Sequence, residues 1–311
     1  MTDVEDKMVL EVKNLSVAFR QYQGLFRQVT LPVINDLSVT MREGEILAIV
    51  GASGSGKSLL AESILGLLPD NAITGGTIKF RGEELDAVRL KNLRGSEIAL
   101  LPQSVLAFDP LMRVGKQARG ARPTKEVAER QSRVFQELDL PEETERLFPF
   151  QLSGGMARRV LFSTAITSGA GLVIADEPTP GMQVDQAMSA LSILKVLAGQ
   201  GTAVMLITHD IDLAIRFADR VGVFYAGTVV EVARAEDFQD GPERLRHPYS
   251  KALWRALPQN DFEPIPGSQP YPGYTGCPFA PRCWLRTAQC TEAMPPARQL
   301  RDGTVRCFHA S

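Results

Sequence analysis

Residues 10–19 alternate apolar and polar side chains, with Leu10, Val12, Leu15, Val17 and Phe19 on the apolar side. That two-residue period predicts a strand with one buried face. Residues 21–30 are polar and include Gly24, so a loop is expected there. Strands are predicted at 33–41 and 45–50, separated by the turn Arg42-Glu43-Gly44. The run Ile46-Leu47-Ala48-Ile49-Val50 is apolar throughout, as a strand covered on both faces is. A helical pattern follows at 59–68 and should stop at Pro69-Asp70-Asn71. Short strands are expected at 75–80 and 97–101. Apolar runs at 171–176 and 203–208 read as buried parallel strands, each followed by a helical stretch, at 186–197 and 211–219. Residues 221–225 and 228–232 form a hairpin around Ala226-Gly227. Buried strands alternating with helices define an α/β class with a parallel sheet covered on both faces.

Two stretches break this rhythm. From 104 to 149 the chain becomes charged, with helical periodicity at 126–140, so a mostly helical insertion is expected at about 104–165. Beyond residue 257 the chain is crowded with prolines, among them Pro264, Pro266, Pro270, Pro272, Pro278 and Pro281. We therefore expect a large domain at 1–257 and a small, loop-rich C-terminal segment at 258–311. All four cysteines, Cys277, Cys283, Cys290 and Cys307, fall in that segment. The net charge of −2 argues against a dedicated nucleic-acid binder. No apolar run approaches the length of a membrane span, and the acidic start Met1-Thr2-Asp3-Val4-Glu5-Asp6 is unlike a secretory signal. The expected setting is the cytosol, with membrane contact made through a partner. In that setting clustered cysteines more often hold a metal or cluster than disulfides.

The candidate chemistry starts at Gly51-Ala52-Ser53-Gly54-Ser55-Gly56-Lys57-Ser58, between a buried strand and a helix beginning near Leu59. The spacing G-x-x-x-x-G-K-S in that context is a phosphate-binding loop. Successive backbone N–H groups turn toward one anion, and the helix N-terminus behind them adds partial positive charge. Lys57 would reach the β- and γ-phosphates and Ser58 would ligate Mg²⁺. Gln103, after a strand, could bring an amide oxygen to Mg²⁺ and the attacking water. Ser153-Gly154-Gly155, opening a helix at 157–167, makes a second anion-binding surface. Asp176 suits the hydration shell of Mg²⁺ and Glu177 suits a general base for water. His209, after the strand 203–208, can donate to a γ-phosphate.

The pieces GASGSGKS, Gln103, LSGGM, LVIADEP and ITHD stand in the order and spacing of the nucleotide-binding subunits of ATP-binding-cassette transporters, which residues 8–257 resemble. The resemblance implies a RecA-like phosphate-loop ATPase core with an antiparallel β subdomain and a helical insertion. It also implies a head-to-tail dimer in which Ser153 and Gly155 act on the partner's nucleotide. Phe19 is implied to stack on adenine, with Tyr22 as the alternative. One departure is visible: after Asp176-Glu177-Pro178-Thr179 the family continues with Ser/Thr-Ala-Leu-Asp, whereas this chain has Pro180-Gly181-Met182-Gln183. Gln183 lacks the charge of the family's aspartate, which implies unequal ATP sites and a non-identical ATPase partner.

The stretches His247-Pro248-Tyr249, Pro264-Ile265-Pro266-Gly267 and Gly276-Cys277-Pro278-Phe279-Ala280-Pro281-Arg282-Cys283 look like the C-terminal extension of oligopeptide, dipeptide and nickel importers, and Ala107-Phe108-Asp109-Pro110 fits that branch. The resemblance implies import of peptides or metal chelates, two transmembrane permease subunits, an extracytoplasmic solute-binding protein, and a peripheral position on the cytoplasmic face of the membrane. A cassette ATPase serving a soluble complex is the alternative. The cysteine spacing of x5, x6 and x16 matches no zinc-finger pattern. Four thiolates can hold Zn²⁺ or a 4Fe-4S cluster, or stay free or disulfide-linked. Some members of the resembled branch carry an iron–sulfur cluster here.

Overall fold

The computed structural model describes residues 7–24, 27–120, 123–180, 182–270 and 273–311; the acidic start, Gly181 of the altered turn and Pro272 lie outside the described residues. The chain divides into two compact units.

The first unit comprises the described part of Met1–Val9 together with Arg42–Ile46 and Asp86–Ile207. Ile98–Leu101, Leu172–Asp176 and Ala203–Thr208 are neighbouring parallel strands, with Leu101 opposite Ala175 and Asp176 opposite Ile207. The latter two are buried along their whole length, which is why their sequences run apolar instead of alternating. In a parallel sheet all carboxyl ends share one edge, where ligands of open α/β sheets bind. Gln103 and Glu177 lie just beyond two of those ends.

The insertion is helical as expected. Val114–Arg119 and Lys125–Glu137 pack on Gly154–Ser168. Thr124 caps the second of these, its Oγ1 accepting from the Val127 N–H at 3.2 Å. Arginines hold the layer together. Arg159 Nη1 donates to the carbonyls of Leu138 and Asp139 at 3.0 and 2.9 Å, where a cation suits the negative end of Lys125–Glu137. Arg130 reaches the Thr167 carbonyl at 3.2 Å, and Arg119 pairs with Glu145 at 2.7 Å.

The second unit comprises Leu10–Met41, Leu47–Leu85 and Thr208–Ser311. Its antiparallel sheet runs Arg27–Arg42, Met8–Gln23, Ala72–Phe80, Glu83–Glu84. The loop expected at 21–30 is corrected: the two long strands continue to Gln23 and resume at Arg27. Residues 20–24 are exposed, so the strands run past the buried part of the sheet and lose the alternation that marks a half-buried one. A parallel pair, Ile46–Val50 beside Arg220–Tyr225, is extended by Thr228–Arg234 as an antiparallel hairpin. The helix expected at 59–68 is shorter. It spans Lys57–Leu65 and ends at Gly66 in a left-handed C-cap, whose N–H returns to the Glu62 and Ser63 carbonyls before Pro69 is reached.

The C-terminal segment adds two short strands. Gly303–Val305 pairs antiparallel with Thr228–Arg234, and Arg298–Leu300 pairs with Gly303–Val305. A wholly buried ion pair ties this region down. Glu231 accepts from the backbone N–H groups of Arg246 and His247 at 2.9 and 2.8 Å, and from Arg246 Nη1 at 3.3 Å. Arg246 Nη2 also donates to Asp237 at 3.2 Å and to the Arg301 carbonyl at 2.6 Å. Burial pushes the Glu231 carboxyl up, against the lowering influence of these donors. Burying a charge alone is costly, so a pair satisfied on this many sides fixes the register of all three segments.

Candidate active site

The phosphate loop folds as its spacing requires. Ile46–Val50 is buried at every position and delivers the chain to Gly51, and the helix Lys57–Leu65 starts directly after Gly56. A side chain on Gly51 would lie 2.4 Å from the Phe224 carbonyl oxygen. Gly56 sits at φ +104°, with Val33 and the Phe224 ring closing in on the space beside it. Only glycine meets both demands. Lys57 is buried, and its Nζ donates to the carbonyls of Gly51 at 2.9 Å and Ala52 at 3.0 Å. Ser55 Oγ is buried with no hydrogen-bond partner among the described residues. Ala52, Ser53 and Gly54 are exposed, while Ser58 and Leu59 are half-buried. In the same unit Phe19 is half-buried opposite Ala72, and Tyr22 is exposed. His209 is exposed, one residue beyond the strand Ala203–Thr208. The neighbouring Asp210 is a helix cap: its Oδ1 accepts from the Leu213 N–H at 3.0 Å.

In the first unit Ser153 is the N-cap of Gly154–Ser168, its Oγ accepting from the Met156 N–H at 3.2 Å. Ser153 and Gly154 are exposed and Gly155 is half-buried. A methyl group on Gly154 or Gly155 would meet no atom within 4 Å among the described residues. Asp176 and Glu177 are buried at the end of their strand. Glu177 takes φ +45°, a left-handed backbone costly for a side-chain residue, and its N–H donates to the Ile207 carbonyl at 2.8 Å.

Arg158 was not legible as a functional residue. From the helix that Ser153 opens, its Nη1 donates to the Gln103 carbonyl at 2.6 Å and its Nη2 to the Pro180 carbonyl at 3.0 Å. One guanidinium thus joins the Gln103 segment, the helix Gly154–Ser168 and the turn that follows Glu177. Burial lowers its pKa from the usual arginine value, yet it stays cationic. Its partners are backbone carbonyls 55 and 22 residues away, and no sequence spacing marks such a bond.

None of the four cysteines is joined in a disulfide; Cys277, Cys290 and Cys307 are buried and Cys283 is half-buried. Burial pushes the Cys277 thiol up to about 12, and its three neighbouring thiols push the same way. Cys283 and Cys307 are raised mainly by burial as well. Backbone N–H groups point at the sulfurs: Leu285 at Cys283 and His309 at Cys307, both at 3.4 Å. Cys290 Sγ lies 3.4 Å from both Thr287 Oγ1 and His309 Nε2. Cys277 Sγ lies 3.9 Å from Nε2 of His247, whose pKa burial lowers to about 3. Among the described residues, no three His, Cys, Asp or Glu side chains converge as a single metal ion needs.

Phosphate loop, strand-end carboxylates and a serine-glycine helix start on an α/β scaffold define an ATP-binding cassette of the transporter class. Residues 34–180 match the ABC transporter family and residues 230–290 match the oligopeptide/dipeptide transporter C-terminal region. The chain belongs to the oligopeptide and dipeptide branch of the ABC transporter ATP-binding proteins, and it is an ATPase coupled to transmembrane transport. It is 36% identical to the oligopeptide transport ATP-binding protein OppD of Salmonella typhimurium, over 97% of this chain and 93% of that one. It is 38% identical to OppD of Lactococcus lactis subsp. cremoris, over 86% and 82%. Among solved structures it is similar to a post-hydrolysis dimer of the ATP-binding cassette MJ0796 bound to ADP and Pi. That match has a TM-score of 0.62 and 26% identity, and covers 73% of this chain and 98% of that one.

Proposed function

We propose that the chain binds and hydrolyses ATP to drive import of short peptides through a membrane transporter. The observation that carries this reading is the phosphate loop joined, in one chain, to the peptide-transporter C-terminal region. Peptides are favoured over nickel chelates because the relatives named above are oligopeptide transport proteins. Among the described residues no helix is long and apolar enough to cross a membrane. The pathway is therefore assigned to two permease subunits, served by an extracytoplasmic solute-binding protein. The chain itself sits peripherally on the cytoplasmic face.

In this reading the loop amides of Gly51 to Ser58 and Leu59 hold the phosphates. The Lys57 ammonium, which rests on loop carbonyls, turns to the β- and γ-oxygens. The buried Ser55 hydroxyl gains a phosphate oxygen as partner, which removes a penalty of about 1–3 kcal/mol. Ser58, Asp176 and Gln103 would hold Mg²⁺, which neutralises charge on the leaving group. Glu177 takes the proton of the attacking water, His209 donates to the γ-phosphate, and Phe19 stacks on adenine. The open surface of Ser153, Gly154 and Gly155 covers the nucleotide of a second, non-identical ATPase.

The four thiols fit an iron–sulfur cluster better than zinc. A zinc ion needs its sulfurs about 2.3 Å from one point, whereas a 4Fe-4S cluster takes one thiolate at each of four irons spread over several ångström. What supports the cluster reading is that the thiols raise one another's pKa, are unlinked by disulfides and are faced by backbone N–H groups. Bound there, a cluster would supply one-electron redox chemistry and cross-link a segment too short to build its own core.

Glu177→Gln in the reconstituted transporter is expected to bind ATP while hydrolysis and uptake of labelled peptide fall at least about 100-fold. Rapid turnover in that variant removes Glu177 from the mechanism. Uptake of a nickel chelate in place of peptide by the wild type overturns the substrate assignment.

A further inference from the structure

His247 does two things with one buried ring. Its Nδ1 accepts from the Tyr249 N–H at 3.0 Å and so caps the helix Pro248–Arg255. A nitrogen that accepts carries no proton, so the ring holds its hydrogen on Nε2. Nε2 is the atom 3.9 Å from Cys277 Sγ. We propose that the Nε2–H of His247 donates to the Cys277 sulfur and tunes the reduction potential of the cluster those thiols carry. The inference rests on the cluster reading above. It gives the His-Pro-Tyr stretch a role toward the cysteines that is separate from the nucleotide.

The ring has little freedom to serve any other atom. The Glu231 carboxylate fixes the backbone leading into it, through the N–H groups of Arg246 and His247. Pro248 restricts the backbone of His247 before it, and the centroid of the Phe279 ring stands 6.1 Å from that of the imidazole. Cys277 is fixed in turn, its N–H donating to the Cys290 carbonyl at 2.8 Å. The other sulfurs differ. Cys283 lines a cleft of about 850 Å³ together with Arg255, Arg282, Trp284 and Arg286, where water can reach the sulfur. Cys290 faces His309, an exposed ring. Cys277, Cys290 and Cys307 are all buried, but only at Cys277 is the side-chain donor buried as well, since His247 is 1% exposed, and there a hydrogen bond counts for more. A donor that withdraws electron density from a ligand sulfur favours the reduced, more negative cluster.

The test uses the full chain purified without oxygen, as wild type and His247→Asn. Asparagine keeps a cap oxygen for the Tyr249 N–H but does not reach the sulfur. Iron and sulfide content should match the wild type. At the potential where half of the wild-type cluster is reduced, the reduced-to-oxidised ratio should fall about fivefold, the effect of one ordinary hydrogen bond. An unchanged ratio with full iron content overturns the inference and leaves the cluster reading intact. A wild type that contains no iron overturns both. As a second measurement, pulsed EPR of the reduced His309→Asn chain carrying ¹⁵N-histidine should retain a weak ¹⁵N coupling from His247, distinct from the unlabelled backbone nitrogens at the sulfurs. Absence of any ¹⁵N coupling there overturns the inference without requiring the His247 variant to fold.

Discussion

Two glycine-rich stretches, Gly51 to Gly56 and Gly154-Gly155, look alike in sequence and differ in what requires the glycines. In the phosphate loop the requirement is internal. The Phe224 carbonyl occupies the place of a Gly51 side chain, and Gly56 adopts a backbone that side chains resist. In the helix Gly154–Ser168 nothing described outside the helix's own backbone crowds either glycine. Each is less favourable in a helix than alanine, by about 1 kcal/mol in a helix interior. The first stretch is therefore explained by its own fold, and the second is not explained by contacts within the described chain. The proposed nucleotide of a partner subunit would account for it, because its phosphates need backbone N–H groups at close range.

Substitutions can break this contrast. Gly51→Ala forces a methyl against a backbone carbonyl and should destabilise the chain by about 3 kcal/mol, read as a lowered urea midpoint without nucleotide. A stable Gly51→Ala chain would remove the internal argument. Arg158→Ala comes next. It removes two charged hydrogen bonds to the Gln103 and Pro180 carbonyls, at a cost of about 2 kcal/mol. Hydrolysis by the assembled transporter should drop about tenfold while ATP binding to the phosphate loop is retained, since the lost bonds position the Gln103 segment and the turn after Glu177. Unchanged hydrolysis would make Arg158 a purely structural strap. Gly155→Ala should have the smallest effect on stability, a gain of up to about 1 kcal/mol, and yet a large effect on turnover.

How far the sequence carried depends on how local the signal is. The phosphate loop was legible because strand, loop and helix are contiguous and Lys57 follows Gly56 directly. The strand ending at Asp176 and the hairpin at Ala226-Gly227 were legible for the same reason. The exposed parts of the first two strands were missed, because a strand with water on both faces carries no apolar period. The strands Arg298–Leu300 and Gly303–Val305 are three residues each, below the length at which a pattern can register. Nothing in the sequence marks Glu231 as the buried centre of a network, since its partners Arg246 and His247 lie 15 and 16 residues away. The pairing of His247 with Cys277 spans 30 residues and joins two motifs that stand apart in the sequence.

The most direct test of the shared-nucleotide account is a pair of numbers from Gly155→Ala: the melting temperature of the isolated chain without nucleotide, and ATP hydrolysis by the assembled transporter. The account predicts a melting temperature equal to or slightly above wild type and hydrolysis reduced at least about tenfold. Hydrolysis at the wild-type rate in an equally stable chain would contradict it.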